Sequence, residues 1–161
     1  MHNTSYEKMG ELLTNYVPKN SNVLDIGATN EIANYRGIAE NNLCQYKTLD
    51  WLGGADFIVN GYDWSMIPKD WDCVISGQCL EHDAYFWKTL ENIASITKQG
   101  GIIIIIVPSC GAIHRHPIDV YRFYPDSAHT FAEIMKCELL EVHHLGFDSE
   151  WGDLSMVFKK L

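Results

Sequence analysis

Apolar positions change period repeatedly along the chain, and each change marks an element. Tyr6, Met9, Leu12, Leu13 and Tyr16 recur at helical spacing, which predicts a short amphipathic helix over residues 5–16, ended by Pro18. Residues 22–26 read as a first strand and 30–40, with Ile32, Tyr35, Arg36 and Ile38, as a second helix. A second strand covers about Gln45 to Leu49; Trp51-Leu52-Gly53-Gly54 is too short for a helix, so the following crossover is abbreviated. Residues 56–59 are a third strand closed by Asn60-Gly61, and 72–76 a fourth. A helix is expected from about Asp83 to Lys98, stopped by Gln99-Gly100-Gly101. Ile102 to Val107 is an unbroken β-branched run, as a parallel strand buried on both faces requires. A helix from about Ser127 to Cys137 and strands near 138–145 and 153–160 complete the pattern. Strand and helix alternate throughout, so the class is α/β with a doubly wound, Rossmann-like sheet.

Against that frame, Val23-Leu24-Asp25-Ile26-Gly27-Ala28 reads as a strand running into a glycine turn. Ligands of such sheets lie across the carboxyl ends of the strands, where strand order reverses. Gly27 permits a tight turn and close approach; equally, Asp25-x-Gly27 is what any tight strand-to-helix turn can look like. Asp50 stands where the second strand stops, placed to grip ribose hydroxyls or to sit solvated in a loop. A dinucleotide site wants further glycines two and five positions after Gly27, but Thr29 and Ile32 stand there. One glycine and two acids suit a nucleoside ligand without a phosphate. Asn60 offers amide groups to an adenine edge, and Tyr62 or Trp51 could cover the ring or pack into the core.

Composition narrows the classes. The 161 residues suit one domain, and 47% apolar content is that of a globular protein. No apolar run reaches the roughly 18 residues of a membrane helix, and Met1-His2-Asn3-Thr4-Ser5 lacks a signal-peptide layout, so a cytoplasmic, membrane-free protein is expected. Five cysteines without a C-x-x-C pair read as reduced, mostly buried thiols. A net charge of −9 argues against a sequence-independent grip on nucleic acid.

The stretch Trp71-Asp72-Cys73-Val74-Ile75-Ser76-Gly77-Gln78-Cys79-Leu80-Glu81-His82 joins the earlier motifs to Gly100-Gly101 before the apolar strand. In this combination the chain resembles the class I S-adenosylmethionine-dependent methyltransferases, especially their small type-11-like domains, over about residues 20–160. The loop Pro108 to Asp126 and the segment Trp151 to Lys160 resemble one subgroup of these enzymes. The resemblance implies a mostly parallel seven-stranded sheet with an antiparallel C-terminal strand, and S-adenosyl-L-methionine as cofactor. It implies cofactor contacts from Asp25, Gly27, Ala28, Asp50, Trp51, Asn60, Gly61, Tyr62, Ser76 and Gln78. The chain departs from the family where further glycines usually follow the first, having Ala28-Thr29-Asn30-Glu31.

Candidates for acceptor chemistry are His82, at the end of the fourth strand, and His116 and Asp119 in the loop after the fifth. Structural roles compete for each: a helix cap at Glu81-His82, an Asp119–Arg122 ion pair holding the loop. His114, His116 and Asp119 lack a fourth ligand at convincing spacing, so no metal is expected. The motifs of exocyclic-amine and cytosine C5 methyltransferases are absent, which with the charge argues against nucleic acid as the acceptor and leaves a small molecule or sugar-type acceptor. With little lid, the acceptor site is open or completed by a homodimer mate or partner protein. The rival readings are a catalytically degenerate binding subunit on the same fold and a nicotinamide-dependent oxidoreductase, the latter disfavoured by the missing glycines.

Overall fold

The computed structural model describes residues 3–31, 34–146 and 150–161. Seven strands form one sheet: β1 (Asn22–Ile26), β2 (Gln45–Asp50), β3 (Phe57–Ile58), β4 (Trp71–Gly77), β5 (Thr97–Cys110), β6 (Cys137–Leu145) and β7 (Gly152–Lys160). The helices are α1 (Asn3–Tyr16), α2 (Arg36–Asn41), α3 (Phe86–Ile96) and α4 (Ser127–Met135), and a 3-10 turn spans Leu80–His82. Strand order is β3-β2-β1-β4-β5-β7-β6. Pairings from β3 through β5 are parallel, and β7 runs antiparallel between β5 and β6. The mostly parallel α/β sheet with antiparallel C-terminal pairing is thus the observed architecture.

Side-chain alternation explains the two cores. Leu24, Ile26, Val74, Ile103 and Ile105 pack with Leu90 and Ile93 of α3 and Phe131 and Met135 of α4. Val23, Cys73, Ile75, Ile104 and Ile106 pack on the other face with Met9, Leu12 and Leu13 of α1 and Ala39 of α2. Ile103 through Ile106 are all fully buried. Each contributes about 1.5–3 kcal/mol, so a polar residue at any of them would break the layer it faces. All five cysteines are free thiols, four of them buried. Among the described residues, no helix is long and apolar enough to cross a membrane.

The largest differences from the sequence reading lie at element ends. Asn34 bonds to both Thr29 and Arg36, its amide donating to the Thr29 carbonyl at 2.9 Å and its oxygen accepting from the Arg36 N–H at 3.2 Å. The second helix therefore begins at Arg36; Ile32, counted in the predicted helix, lies outside the described residues. The third strand shrinks to two residues because the Asp56 carboxylate turns back to the backbone and side chain of Thr48. α3 starts at Phe86, since Leu80–His82 forms its own 3-10 turn. Around Gly100, at φ +75°, the chain bulges and rejoins β4 with Cys73 opposite Ile102.

The chain moves outward from β1 to β3 and then returns to place β4 against β1. The carboxyl ends of β1 and β4 therefore flank the reversal of strand order, the usual ligand crevice of such sheets.

Candidate functional site

At this crevice the turn after β1 is closely packed. Gly27 has φ +79°, and a β-carbon there would stand 2.3 Å from Cys79 Sγ. Its N–H donates to the Leu49 carbonyl at 2.8 Å, and Ala28, which is buried, donates to the same oxygen at 3.4 Å. Asp25 is 1% exposed and faces the α1–α2 side with Val23 and Ile75. Its carboxylate accepts the Tyr46 hydroxyl and the Tyr35 N–H. Burial pushes Asp25 up to about 7 against the pull of those two hydrogen bonds. Ser76 donates to the Ile26 carbonyl at 3.2 Å, and the Gln78 side chain donates to Asp153 at 2.9 Å. The close approach that Gly27 permits is thus to Cys79, and Asp25 is held by two tyrosines.

A cavity of about 400 Å³ opens beyond the carboxyl ends of β2, β3 and β4. Trp51, Asn60, Gly61, Tyr62 and His82 line it, five of the residues singled out from sequence, together with Asp83. Asp50 ends β2 one residue before the lining Trp51; its own side chain is buried outside the lining, with Oδ1 accepting the Leu52 N–H at 2.5 Å. Tyr62 is held by its hydroxyl, which donates to Asp83 at 2.5 Å; burial and that carboxylate push the phenol up to about 12. Asp83 also accepts from the Tyr85 N–H at 2.9 Å and the Thr89 hydroxyl at 2.6 Å, fixing the head of α3 to the cavity wall. A larger cleft of about 700 Å³ lies at the opposite, amino end of the sheet, between Asn20, Asp72 and Lys159, far from these groups.

The loop after β5 folds back over the 3-10 turn. Val120 N–H donates to the Glu81 carbonyl at 2.8 Å, and Tyr121 hydroxyl to the Ala84 carbonyl at 3.0 Å. Pro117 and Ile118 thereby close one side of the cavity. His82 Nδ1 lies 2.6 Å from the Ile118 carbonyl, so it carries the proton and leaves a lone pair on Nε2. Nε2 stands 3.5 Å from Glu81 Oε1. Burial lowers the His82 pKa. Glu81 is 0% exposed, and burial pushes its carboxyl up to about 8. His114 and the exposed His116 stand edge-on to His82, with ring centres 4.9 and 5.7 Å away. Asp119 binds both terminal nitrogens of Arg122, at 2.6 and 2.8 Å, and accepts the His114 N–H at 2.7 Å. The guanidinium holds its carboxyl well below the usual carboxylate range. That pair anchors the loop, which carries His114 and His116 to His82.

Tyr35, Asp83 and Glu81 are read from sequence only as helix, helix-start and cap residues, and their places at the site come from the folded chain. The acid opening an apolar-periodic segment is a helix-start signal, and at Asp83 that carboxylate also holds Tyr62. Nothing local marks Tyr35, whose ring packs against Gly77 and whose hydroxyl meets Ser5 Oγ at 3.0 Å.

No family model matches the sequence, and no curated protein does either. Solved structures do match. The Burkholderia thailandensis 1,6-didemethyltoxoflavin-N1-methyltransferase, bound to 1,6-didemethyltoxoflavin and S-adenosylhomocysteine, matches 97% of this chain and 78% of its own at 13% identity, with a TM-score of 0.76. A Haloferax volcanii protein solved in complex with the Trm112 methyltransferase activator matches 98% and 90% at 19% identity, TM-score 0.71. The [4+2]-cyclase SpnF matches 96% and 81% at 12% identity, TM-score 0.68. The chain therefore has the class I S-adenosylmethionine-dependent methyltransferase fold, a scaffold that one of these three carries under the name of a cyclase.

Proposed function

We propose that this protein binds S-adenosylmethionine and transfers its methyl group to a small-molecule or sugar-type acceptor. The observation that carries the reading is the cavity beside Asp50, where Trp51, Asn60, Gly61 and Tyr62 meet at the carboxyl ends of β2 and β3. In this reading the aromatic walls take the adenine, Asn60 its polar edge, and Asp50 the ribose hydroxyls. The methionine end extends toward Gly27, Ala28, Ser76 and Gln78, with Asp25 bracing that turn from beneath. The cofactor supplies an already activated methyl group. The protein's work is then to align the acceptor and exclude water, a positioning effect of about 7–11 kcal/mol in the best-oriented systems.

His82 is the group offered to the acceptor, because it lines the same cavity and keeps a lone pair on Nε2. His116 stands next to it, and Asp119 serves by fixing the loop. The acidic charge favours a non-nucleic-acid acceptor, and the protein is taken to work in the cytoplasm. A partner protein or second copy completing the acceptor side fits the open loop. Intrinsic fluorescence tests the reading, since Trp51 and Trp64 both line the cavity. S-adenosylhomocysteine should quench it saturably in the wild type and only weakly in Asn60→Ala; no saturable change in either would remove the support.

A binding subunit without turnover is the second reading. It is favoured by Cys79 packed on Gly27 and by both turn amides donating to Leu49, which leaves the turn engaged within the chain. Cofactor binding without methyl transfer to any acceptor in a broad screen would select it.

A further inference from the structure

We propose that Glu81, His82 and His114 form a binding site for one divalent transition-metal ion of the nitrogen-preferring kind, such as Zn²⁺ or Co²⁺. One ligand atom from each of the three lies within 4.8 Å of the others. Ligands around such an ion sit about 2.0–2.2 Å from it, so closing the site takes movements on the order of 1 Å or less. Sequence spacing hides this set, because Glu81 and His82 meet His114 only when the loop after β5 folds back.

The second observation is the state of Glu81. Its side chain is fully buried, and among the described residues neither carboxylate oxygen has a hydrogen-bond partner from another residue. An unpaired buried carboxylate is costly, and a positive charge beside it removes that cost. The neighbour it does face is His82 Nε2, and that nitrogen holds a lone pair because Nδ1–H is committed to the Ile118 carbonyl. Two electron-rich atoms 3.5 Å apart repel unless a cation stands between them. A proton can bridge that one pair, but it does not draw in the His114 ring, whose Nδ1 lies 3.3 Å from the Ala112 carbonyl; a metal ion engages all three residues.

The surroundings match what ligating histidines need. A carbonyl accepting the far ring N–H fixes the His82 tautomer, as outer partners do in established metal sites. The Asp119–Arg122 pair holds the His114 backbone through the Asp119 carboxylate. The exposed His116 ring beside both histidines marks a way in from solvent. His82 also lines the cavity, so an ion here would stand at its wall and would take the Nε2 lone pair that the ion-free protein offers to an acceptor. The inference does not depend on S-adenosylmethionine binding, and its test uses neither cofactor nor acceptor.

The chelator-stripped 161-residue protein is titrated with Co²⁺, followed by visible absorption, and with Zn²⁺ by calorimetry. Wild type should take up one equivalent of each and melt at a higher temperature with Zn²⁺. His114→Ala changes only a partly exposed loop residue and should weaken uptake at least tenfold, as should Glu81→Gln. His129→Ala, an exposed histidine on α4, should bind as wild type does. Absence of saturable uptake by the folded wild type overturns the proposal. So does uptake that His114→Ala leaves unchanged.

Discussion

The Tyr35 hydroxyl lies 2.0 Å from where a β-carbon on residue 77 would fall. Gly77 ends β4 because Tyr35, fully buried, fills the volume a side chain there would need. Gly77→Ala is therefore expected to overpack the junction between β1 and β4 and cost about 1–3 kcal/mol. Tyr35→Leu removes the obstructing atoms, so the double variant should recover part of the loss. Urea denaturation of the four proteins of this cycle measures the coupling; purely additive effects would contradict the contact.

Asp25 gives the fold a pH dependence of defined sign. Its carboxyl rises from 3.8 to about 7 on folding, so the folded chain holds the proton more tightly than the unfolded chain. The resulting stabilisation is full below about pH 4 and is lost as pH rises through 7. Asp25→Asn keeps an oxygen for Tyr46 and Tyr35 but cannot ionise. Its melting temperature minus that of wild type should grow between pH 4 and 7 and then level off. A difference constant with pH would contradict this account of Asp25.

Asp119→Ala should leave Arg122 without its bidentate partner and free the His114 N–H. Charge-assisted hydrogen bonds of this kind suggest a loss of about 1–3 kcal/mol. Limited proteolysis should detect faster cleavage within residues 111–122, ahead of global unfolding. Equal cleavage rates in the two proteins would mean that the ion pair does not hold the loop.

Asp50→Ala should weaken S-adenosylhomocysteine binding by about 1–3 kcal/mol, through lost charge-assisted hydrogen bonds to ribose. His82→Ala should leave that affinity nearly unchanged while slowing methyl transfer once an acceptor is found. Calorimetry on both folded variants separates the roles; an unaltered dissociation constant in Asp50→Ala would remove Asp50 from the site.

The sheet was legible in sequence because its signals are local. Six isoleucine and valine residues in a row announce a doubly buried strand, and the structure buries Ile103 to Ile106 completely. Trp51, Asn60, Gly61 and Tyr62 could be grouped because all follow strand ends, and strand ends at one edge of a parallel sheet converge. Asp25 shows the limit. Its position was plain, but its face of the strand delivers it to Tyr46 and Tyr35 at the α1–α2 layer. Glu81 shows a second limit: its environment is built by residues 114–122, more than thirty positions later, and only the folded loop reveals it.

Isothermal titration calorimetry of the folded protein with S-adenosylmethionine, S-adenosylhomocysteine and NAD in parallel tests the central claim most directly. The account predicts selective micromolar binding of the first two and none of NAD. Silence from all three, or heat from NAD alone, would contradict it.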